Sequence, residues 1–246
     1  MNRVAVISDI HGNLIALEEV VRDIESRKVN RVFNLGDHVS GPLWPKETLE
    51  LLKQQNWIHI QGNHERQLVE QEVGTHNLSD SYAYQNLKEE DLKWLSSLPT
   101  DYTYENEFYL FHGTPSNDSV YLLETVAIGV TRLATQSEIT ERLGKIDSKV
   151  LLCGHTHIPR VVEIGDHLIV NPGSVGLQAY DDVLPEYHKI EVGSSHARYA
   201  ILEKKDGDWY AEIIAVPYDY NKAADRATKN NRPDWEVGIR TGFMNN

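Results

Sequence analysis

A short apolar run, Val150-Leu151-Leu152-Cys153, stops at Gly154-His155-Thr156-His157, and this pair of histidines one residue apart constrains the chain more than any other stretch. Along an extended backbone alternate side chains share a face, so His155 and His157 point the same way. Imidazoles need hydrogen-bond partners and make poor core material, whereas they are the commonest metal ligands. Four further stretches repeat the pattern of an apolar run closed by ligand-type residues: Asp9-Ile10-His11, Gly36-Asp37, Gly62-Asn63-His64-Glu65 and His112-Gly113. Taken singly, each has a plainer reading. An aspartate before a helix caps it, an aspartate in a turn stabilises the turn, and a histidine at a strand end bonds to backbone. Coincidence explains five such strand ends together poorly, and the set describes a two-metal hydrolytic site.

The intervening segments set the fold class. Residues 3–8 read as a buried strand, followed by a helix from Asn13 to about residue 27 with Leu14, Leu17, Val20, Val21 and Ile24 at helical spacing. Residues 30–35 and 57–61 give the next two strands, separated by a helix that Pro45 opens. Strand, loop and helix in alternation specify an α/β chain whose polar groups collect where strands end. Residues 66–99 read as a helical, cap-like insertion, with Asp91 to Leu95 its clearest part. Alternation returns at 102–104 and 108–111, a hairpin whose second strand delivers His112, and again in hairpins around Gly165-Asp166 and Asp206-Gly207. Residues 114–148 are mixed, with a helix from Ser137 to about residue 143, and Asn171-Pro172-Gly173-Ser174 is a turn. The 177–246 segment adds the last hairpin, a short polar helix and a tail containing Trp235. With no internal repeat or linker, one domain over 1–246 is the simplest organisation. Strands on both sides of the insertion suggest two packed sheets.

Composition narrows the partners. The formal charge of −13, from 37 acidic and 24 basic residues, argues against long nucleic acids and acidic membranes. A small anionic substrate stays open because bound cations reverse the sign locally. No run approaches the roughly 20 apolar residues of a membrane span. The apolar stretch before Asp9 is too short for a signal peptide, so the cytoplasm is the expected compartment. A single cysteine, Cys153, allows no intramolecular disulfide, and it is expected to be a buried neighbour of the site rather than a nucleophile.

The ordered set Asp9-x-His11, Gly36-Asp37, Gly62-Asn63-His64-Glu65, His112-Gly113 and Gly154-His-Thr-His157 resembles the calcineurin-like metallophosphoesterase superfamily. Asn171-Pro-Gly-Ser174 is similar to its small prokaryotic branch, which holds phosphodiesterases and diadenosine-tetraphosphatase-like enzymes. The resemblance spans residues 4 to about 176 and implies an α+β sandwich: two mixed β-sheets packed face to face and flanked by helices. It implies that Asp9, His11 and His157 bind one metal, that Asn63, His112 and His155 bind the other, and that Asp37 bridges them. It places His64 beside the metals as acid or transition-state hydrogen-bond donor. Two divalent cations with Asp9, Asp37 and a bridging hydroxide leave about +1 to attract a phosphate. The mixed imidazole and carboxylate set suits manganese, iron, nickel, cobalt or zinc better than calcium and does not choose among them; manganese is the metal expected. The implied reaction is hydrolysis of a small phosphodiester or nucleotide by in-line attack of metal-bound hydroxide. A dinucleoside polyphosphate hydrolase, a phosphoprotein phosphatase and a non-catalytic scaffold are the alternatives. Four residues stay open: His38 supports the metals, lies exposed or touches substrate; Arg66 binds phosphate or forms a salt bridge; His196 and Arg198 are outside candidates for the substrate side.

Overall fold

The computed structural model describes residues 2–127 and 130–245. The chain opens as β1 (Arg3–Ile7), α1 (Leu14–Ser26), β2 (Val32–Asn34), α2 (Pro45–Lys53) and β3 (Ile58–His59). Three helices follow, α3 (Asn63–Glu70), α4 (Leu78–Asn86) and α5 (Glu89–Ser96), and then the hairpin β4 (Asp101–Tyr104) and β5 (Phe108–Phe111). Next come β6 (Glu124–Ala127), β7 (Val130–Leu133), α6 (Gln136–Leu143), β8 (Val150–Leu152), β9 (Arg160–Ile164) and β10 (His167–Asn171). The chain closes with β11 (Ala179–Asp182), β12 (His188–Glu191), β13 (Ala197–Lys205), β14 (Asp208–Val216), α7 (Tyr220–Lys229) and α8 (Pro233–Thr241).

Local chemistry starts each of the leading helices. Asn13 accepts from the Ala16 N–H at 3.3 Å to cap α1, Pro45 opens α2, and Asn77 accepts from the Ser79 and Asp80 N–H groups at 2.9 Å to cap α4. Helix α3 begins inside the third polar motif. Its Glu65 returns to the Gly62 N–H in a capping box, so Asn63 and His64 occupy the first helical turn rather than a loop.

Ten strands form two five-stranded mixed sheets. One runs β14-β13-β1-β2-β3, with β1, β2 and β3 parallel and β13 and β14 antiparallel on one side; the other runs β4-β5-β8-β10-β9, with β5, β8 and β10 parallel between antiparallel edge strands. The central strands β1, β2 and β8 are buried on both faces, which is why they read as apolar runs. In β1, Val4 and Val6 enter the core between the sheets while Ala5 and Ile7 enter the core under the helices. Strand β8 divides likewise, Val150 and Leu152 inward and Leu151 outward against α6 residues Ile139 and Leu143. A separate cluster of Val39, Leu49, Leu68, Ala83 and Leu95 joins α2 to α3, α4 and α5, so the 66–99 segment is packed on the first sheet's helical layer.

The expected two-sheet α/β sandwich is present. Three features differ from expectation in detail. Strand β13 lies beside β1, so the tail completes the first sheet, and α7 and α8 share the core under the helices through Ala223, Ala224, Ala227, Trp235 and Ile239. The mixed region contains the β6–β7 hairpin, and a second small hairpin, β11–β12, follows the Asn171–Ser174 turn. Strand β3 keeps two residues instead of five, because the chain turns into α3 immediately after Gly62.

Phe33 is the central plug between the sheets, fully buried, with its ring 5.4 Å from Phe108 and 5.3 Å from Tyr104. Phe33→Ala should therefore lose about 3–5 kcal/mol of unfolding free energy in a denaturant titration. Tyr210→Ala, at a strand position 56% exposed, should change it by less than about 1 kcal/mol. Equal effects would contradict the two-sheet core.

Candidate metal centre

The parallel strands β1, β2, β3, β5 and β8 all point their C-terminal ends the same way, and each is followed by one of the five motifs. Backbone bonds then lock the loops together. Asp9 N–H donates to Gly36 O at 3.1 Å, His11 N–H to Asp37 O at 2.9 Å, and Gly154 N–H to His112 O at 2.7 Å. The Asn171–Ser174 turn ties one sheet to the other: the Asn171 amide donates to Gly154 O at 2.8 Å, and the Ser174 hydroxyl donates to Asp9 O at 2.7 Å. The approach is close enough to exclude side chains. A Cβ on Gly62 would lie 2.2 Å from Asp37 Oδ1, and one on Gly154 2.1 Å from Ser8 Oγ.

Backbone conformation marks the same residues. Of the ten non-glycine residues with positive φ among those described, five are Asp9, His11, Asp37, His155 and His157. Left-handed conformations cost such residues of order 1–3 kcal/mol each and persist where surrounding structure over-determines them. Here they turn successive side chains inward from one strand end.

The side chains converge in two groups. Donor atoms of Asp9, His11 and His157 lie within 4.8 Å of one another, as do those of Asp37, His112 and His155. Asn63 joins the second group, its Oδ1 3.1 Å from His112 Nε2. Asp37 stands between the groups: Oδ2 is 3.8 Å from His11 Nε2 and 3.1 Å from His112 Nε2, while Oδ1 accepts from the His64 N–H at 3.1 Å.

Hydrogen bonding fixes which ring nitrogen faces the centre. His11 Nδ1 donates to Ser40 O at 2.8 Å, His112 Nδ1 to Leu35 O at 2.8 Å and His157 Nδ1 to Leu177 O at 2.7 Å. Each bond turns Nε2 inward, the arrangement that prepares imidazole for a metal. His11 Nε2 and His157 Nε2 then face each other at 3.0 Å, and His112 Nε2 lies 3.1 Å from the Asn63 oxygen, so each pair needs a proton or a cation between its atoms. The donor chemistry fits divalent transition metals.

Charge tells the same story. Burial opposes ionisation of Asp37, yet His112 and His64 hold its carboxyl well below the usual range, and His157 and His112 lower that of Asp9 against the same opposition. Burial drives His11 down to about 4 and His155 down to about 3, so both offer neutral nitrogens. Burial likewise works against charge on His112, but Asp37 overrides it and lifts the ring to about 9.

The family model described as the calcineurin-like phosphoesterase superfamily domain matches residues 2–194. The chain belongs to this superfamily. An uncharacterised protein of Methanocaldococcus jannaschii is 29% identical over 245 residues, covering 94% of each chain. A metallophosphoesterase structure from Sphaerobacter thermophilus shares the fold at TM-score 0.76 and 23% identity, over 98% of this chain and 100% of that one. A hypothetical protein from Pyrococcus horikoshii does so at TM-score 0.73 and 20% identity, over 100% of both. Membership in the calcineurin-like superfamily supports a phosphoester hydrolase that uses divalent metals.

In this calcineurin-like chain the structure places all seven expected ligands and His64 at one end of the sandwich, where a cavity of about 570 Å³ opens over them. His64 lines that cavity, and its Nδ1 lies 2.7 Å from Asp80 Oδ1. Burial alone would lower its pKa, but Asp80 and then Asp37 raise it to about 10, so the ring keeps its proton. Asp80 was not visible as a site residue in the sequence, because it sits in the third position after a helix cap and looks like a first-turn carboxylate. Glu65 was also missed as a support. It accepts from the Asp37 N–H at 2.7 Å, the His38 N–H at 2.8 Å and the Gly62 N–H at 2.9 Å, and so binds two ligand loops together.

Tyr121 and Tyr180 back the double-histidine motif, with rings 5.0 Å from His155 and 4.7 Å from His157 and a hydroxyl-to-hydroxyl distance of 2.9 Å. Trp235 packs edge-on to His11 at 5.8 Å. Four residues left open by the sequence now have places. His38 is fully buried with Nδ1 3.1 Å from Glu65 Oε1, so it neither lies exposed nor lines the cavity. Arg66 forms a two-pronged salt bridge with Asp118 at 2.6 and 2.7 Å. His196 and Arg198 lie away from the cavity lining. Cys153 points into the outer core with Leu151, and burial pushes its thiol well above its usual pKa.

A cation must displace the His112 proton that Asp37 stabilises. The raised pKa means protons compete below about 9, so metal affinity measured by calorimetry should rise with pH through that range and level off above it. An affinity independent of pH would contradict the assignment of His112.

Proposed function

We propose that the chain is a dinuclear metal-dependent phosphoesterase acting on a small phosphodiester or nucleotide, with manganese as the favoured metal. The observation that carries this reading is the set of three inward Nε2 atoms, each fixed by an Nδ1 bond to backbone, converging on two buried carboxylates. Asp9, His11 and His157 would hold one cation and Asn63, His112 and His155 the other, with Asp37 shared. Two cations so held supply a Lewis-acid clamp on phosphoryl oxygens and an activated water at neutral pH.

The chain's own groups do the rest. Neutral Asn63 and the neutral imidazoles leave the pair of cations under-compensated, so a phosphate is attracted into a protein of net negative charge. His64 holds a proton over the cavity, and Asp80 orients the ring through Nδ1, leaving Nε2 to donate to the leaving oxygen. Asp80 keeps this bond when a cation neutralises Asp37, so the proton does not depend on Asp37 alone. Trp235 and Tyr180 flank His11 and His157 and limit water around those rings.

The test is hydrolysis of bis-p-nitrophenyl phosphate beside p-nitrophenyl phosphate, with added manganese and a chelator control. Chelator-sensitive turnover with preference for the diester is expected. His64→Ala should lose on the order of 100-fold in kcat for an alkyl leaving group and far less for p-nitrophenolate, which departs without a proton. Asp80→Asn should show the same leaving-group dependence to a smaller degree. Chelator-resistant activity, or a His64→Ala loss equal for both leaving groups, would overturn the metal site or the acid role respectively.

A further inference from the structure

Beyond the residues that gather the metals, the cavity has a distinctive charge. Its lining holds three further carboxylates, Asp181, Asp182 and Asp234, against one guanidinium, Arg232, and no lysine among the described residues. Arg232 is already committed. Its Nη2 donates to Asp234 Oδ2 at 2.6 Å, its Nη1 donates to Ser79 Oγ at 2.9 Å, and the guanidinium lies 5.4 Å from the centre of the Trp235 ring. Arg66, the other arginine near the motifs, is closed on Asp118 and lies outside this cavity. A chain of phosphates reaching out from the metals would thus meet carboxylates where polyphosphate sites carry arginine or lysine.

The rest of the lining is mostly apolar, with Gln67, Asn77 and Ser79 its polar members. Leu78 at the start of α4 and Leu184 beyond β11 are each 73% exposed at the cavity, and Leu177 and Trp235 lie deeper. A single exposed leucine carries no meaning, but Leu78 and Leu184 line the same cavity with Leu177, Ala179 and Trp235, and that cavity is large enough for a nucleoside-sized group. Asp182 Oδ1 accepts from the Val183 N–H at 2.6 Å and the Leu184 N–H at 3.1 Å, which holds its carboxylate and Leu184 in one turn.

We infer that the substrate carries a single phosphoryl group and an uncharged or cationic organic arm, and that Asp181 and Asp182 discriminate against substrates with additional phosphates. This rests on the phosphoesterase reading and deepens it. Dinucleoside polyphosphates are disfavoured by the same charges. The apolar flank receives the body of the arm, and the two aspartates meet its outer end.

The experiment compares two chromogenic diesters on the manganese-loaded protein: the p-nitrophenyl ester of thymidine monophosphate, and the same compound with a second phosphate on the free sugar hydroxyl. Bis-p-nitrophenyl phosphate serves as a reference whose arm is uncharged. The first compound should exceed the second by about tenfold or more in kcat/KM. The double variant Asp181→Asn, Asp182→Asn keeps the Asp182 acceptor oxygen and should shrink that gap to about threefold or less, with the reference diester within about twofold. A wild-type preference for the doubly phosphorylated compound, or a gap unchanged in the variant, would overturn the inference while leaving the phosphoesterase intact. Failure to hydrolyse any of the three would instead remove the phosphoesterase reading. Calorimetric binding of thymidine monophosphate against its bisphosphate would then still decide the charge preference of the cavity, weaker bisphosphate binding supporting it and tighter binding refuting it.

Discussion

Two carboxylates with almost no access to water set the terms for this structure. Asp9 and Asp37 are 0% and 1% exposed, and an isolated buried charge costs several kcal/mol even after the protein relaxes around it. The surroundings answer that cost with oriented groups. The His155 N–H approaches both oxygens of Asp9 at 3.2 and 3.3 Å, the His64 N–H holds one oxygen of Asp37, and three imidazoles turn Nε2 toward the remaining oxygens. Those imidazoles are already bonded through Nδ1, so they cannot turn away. The protonated His64 and His112 rings offset part of the carboxylate charge, and the nitrogen and oxygen donors are in place for the divalent metals the superfamily uses.

The fold serves that arrangement by bringing five parallel strand ends from two sheets to one edge. Neither sheet alone holds enough ligands. Asp9, Asp37 and Asn63 follow strands of the first, and His112, His155 and His157 follow strands of the second. The packing of Phe33 against Phe108 and the seam of Asn171 and Ser174 across the loops therefore matter to the metals as much as the ligands do. The left-handed residues at the strand ends are stable because this seam and the Glu65 carboxylate fix the loops from behind.

The site was legible where chemistry and position coincide in the sequence. Asp9, His11, Asp37, Asn63, His64, His112, His155 and His157 each follow an apolar run, and a strand end is where a polar side chain can reach a shared edge. The supports were not legible, because their signals have ordinary meanings. Asp80 looks like any acidic residue in the first turn of a helix, and Glu65 like one half of a capping box, which it also is. Strand order was hidden for a different reason. Alternation in 198–203 identifies a strand but carries no record of its partner, so the place of β13 beside β1 could not be read from a pattern almost 200 residues away. Trp235 was hidden similarly: a tryptophan in a polar tail gives no sign that its ring ends against His11. The candidate metal ligands were thus readable, and the apolar side of the cavity was assembled by long-range packing.

Anomalous diffraction at the manganese edge, from crystals grown with manganese, tests the central claim most directly. Two peaks per chain are predicted, separated by roughly 3.5–4 Å as in other two-metal sites. One should contact Asp9, His11 and His157, the other Asn63, His112 and His155, and both should contact Asp37. A single peak, or peaks away from these residues, would contradict the account.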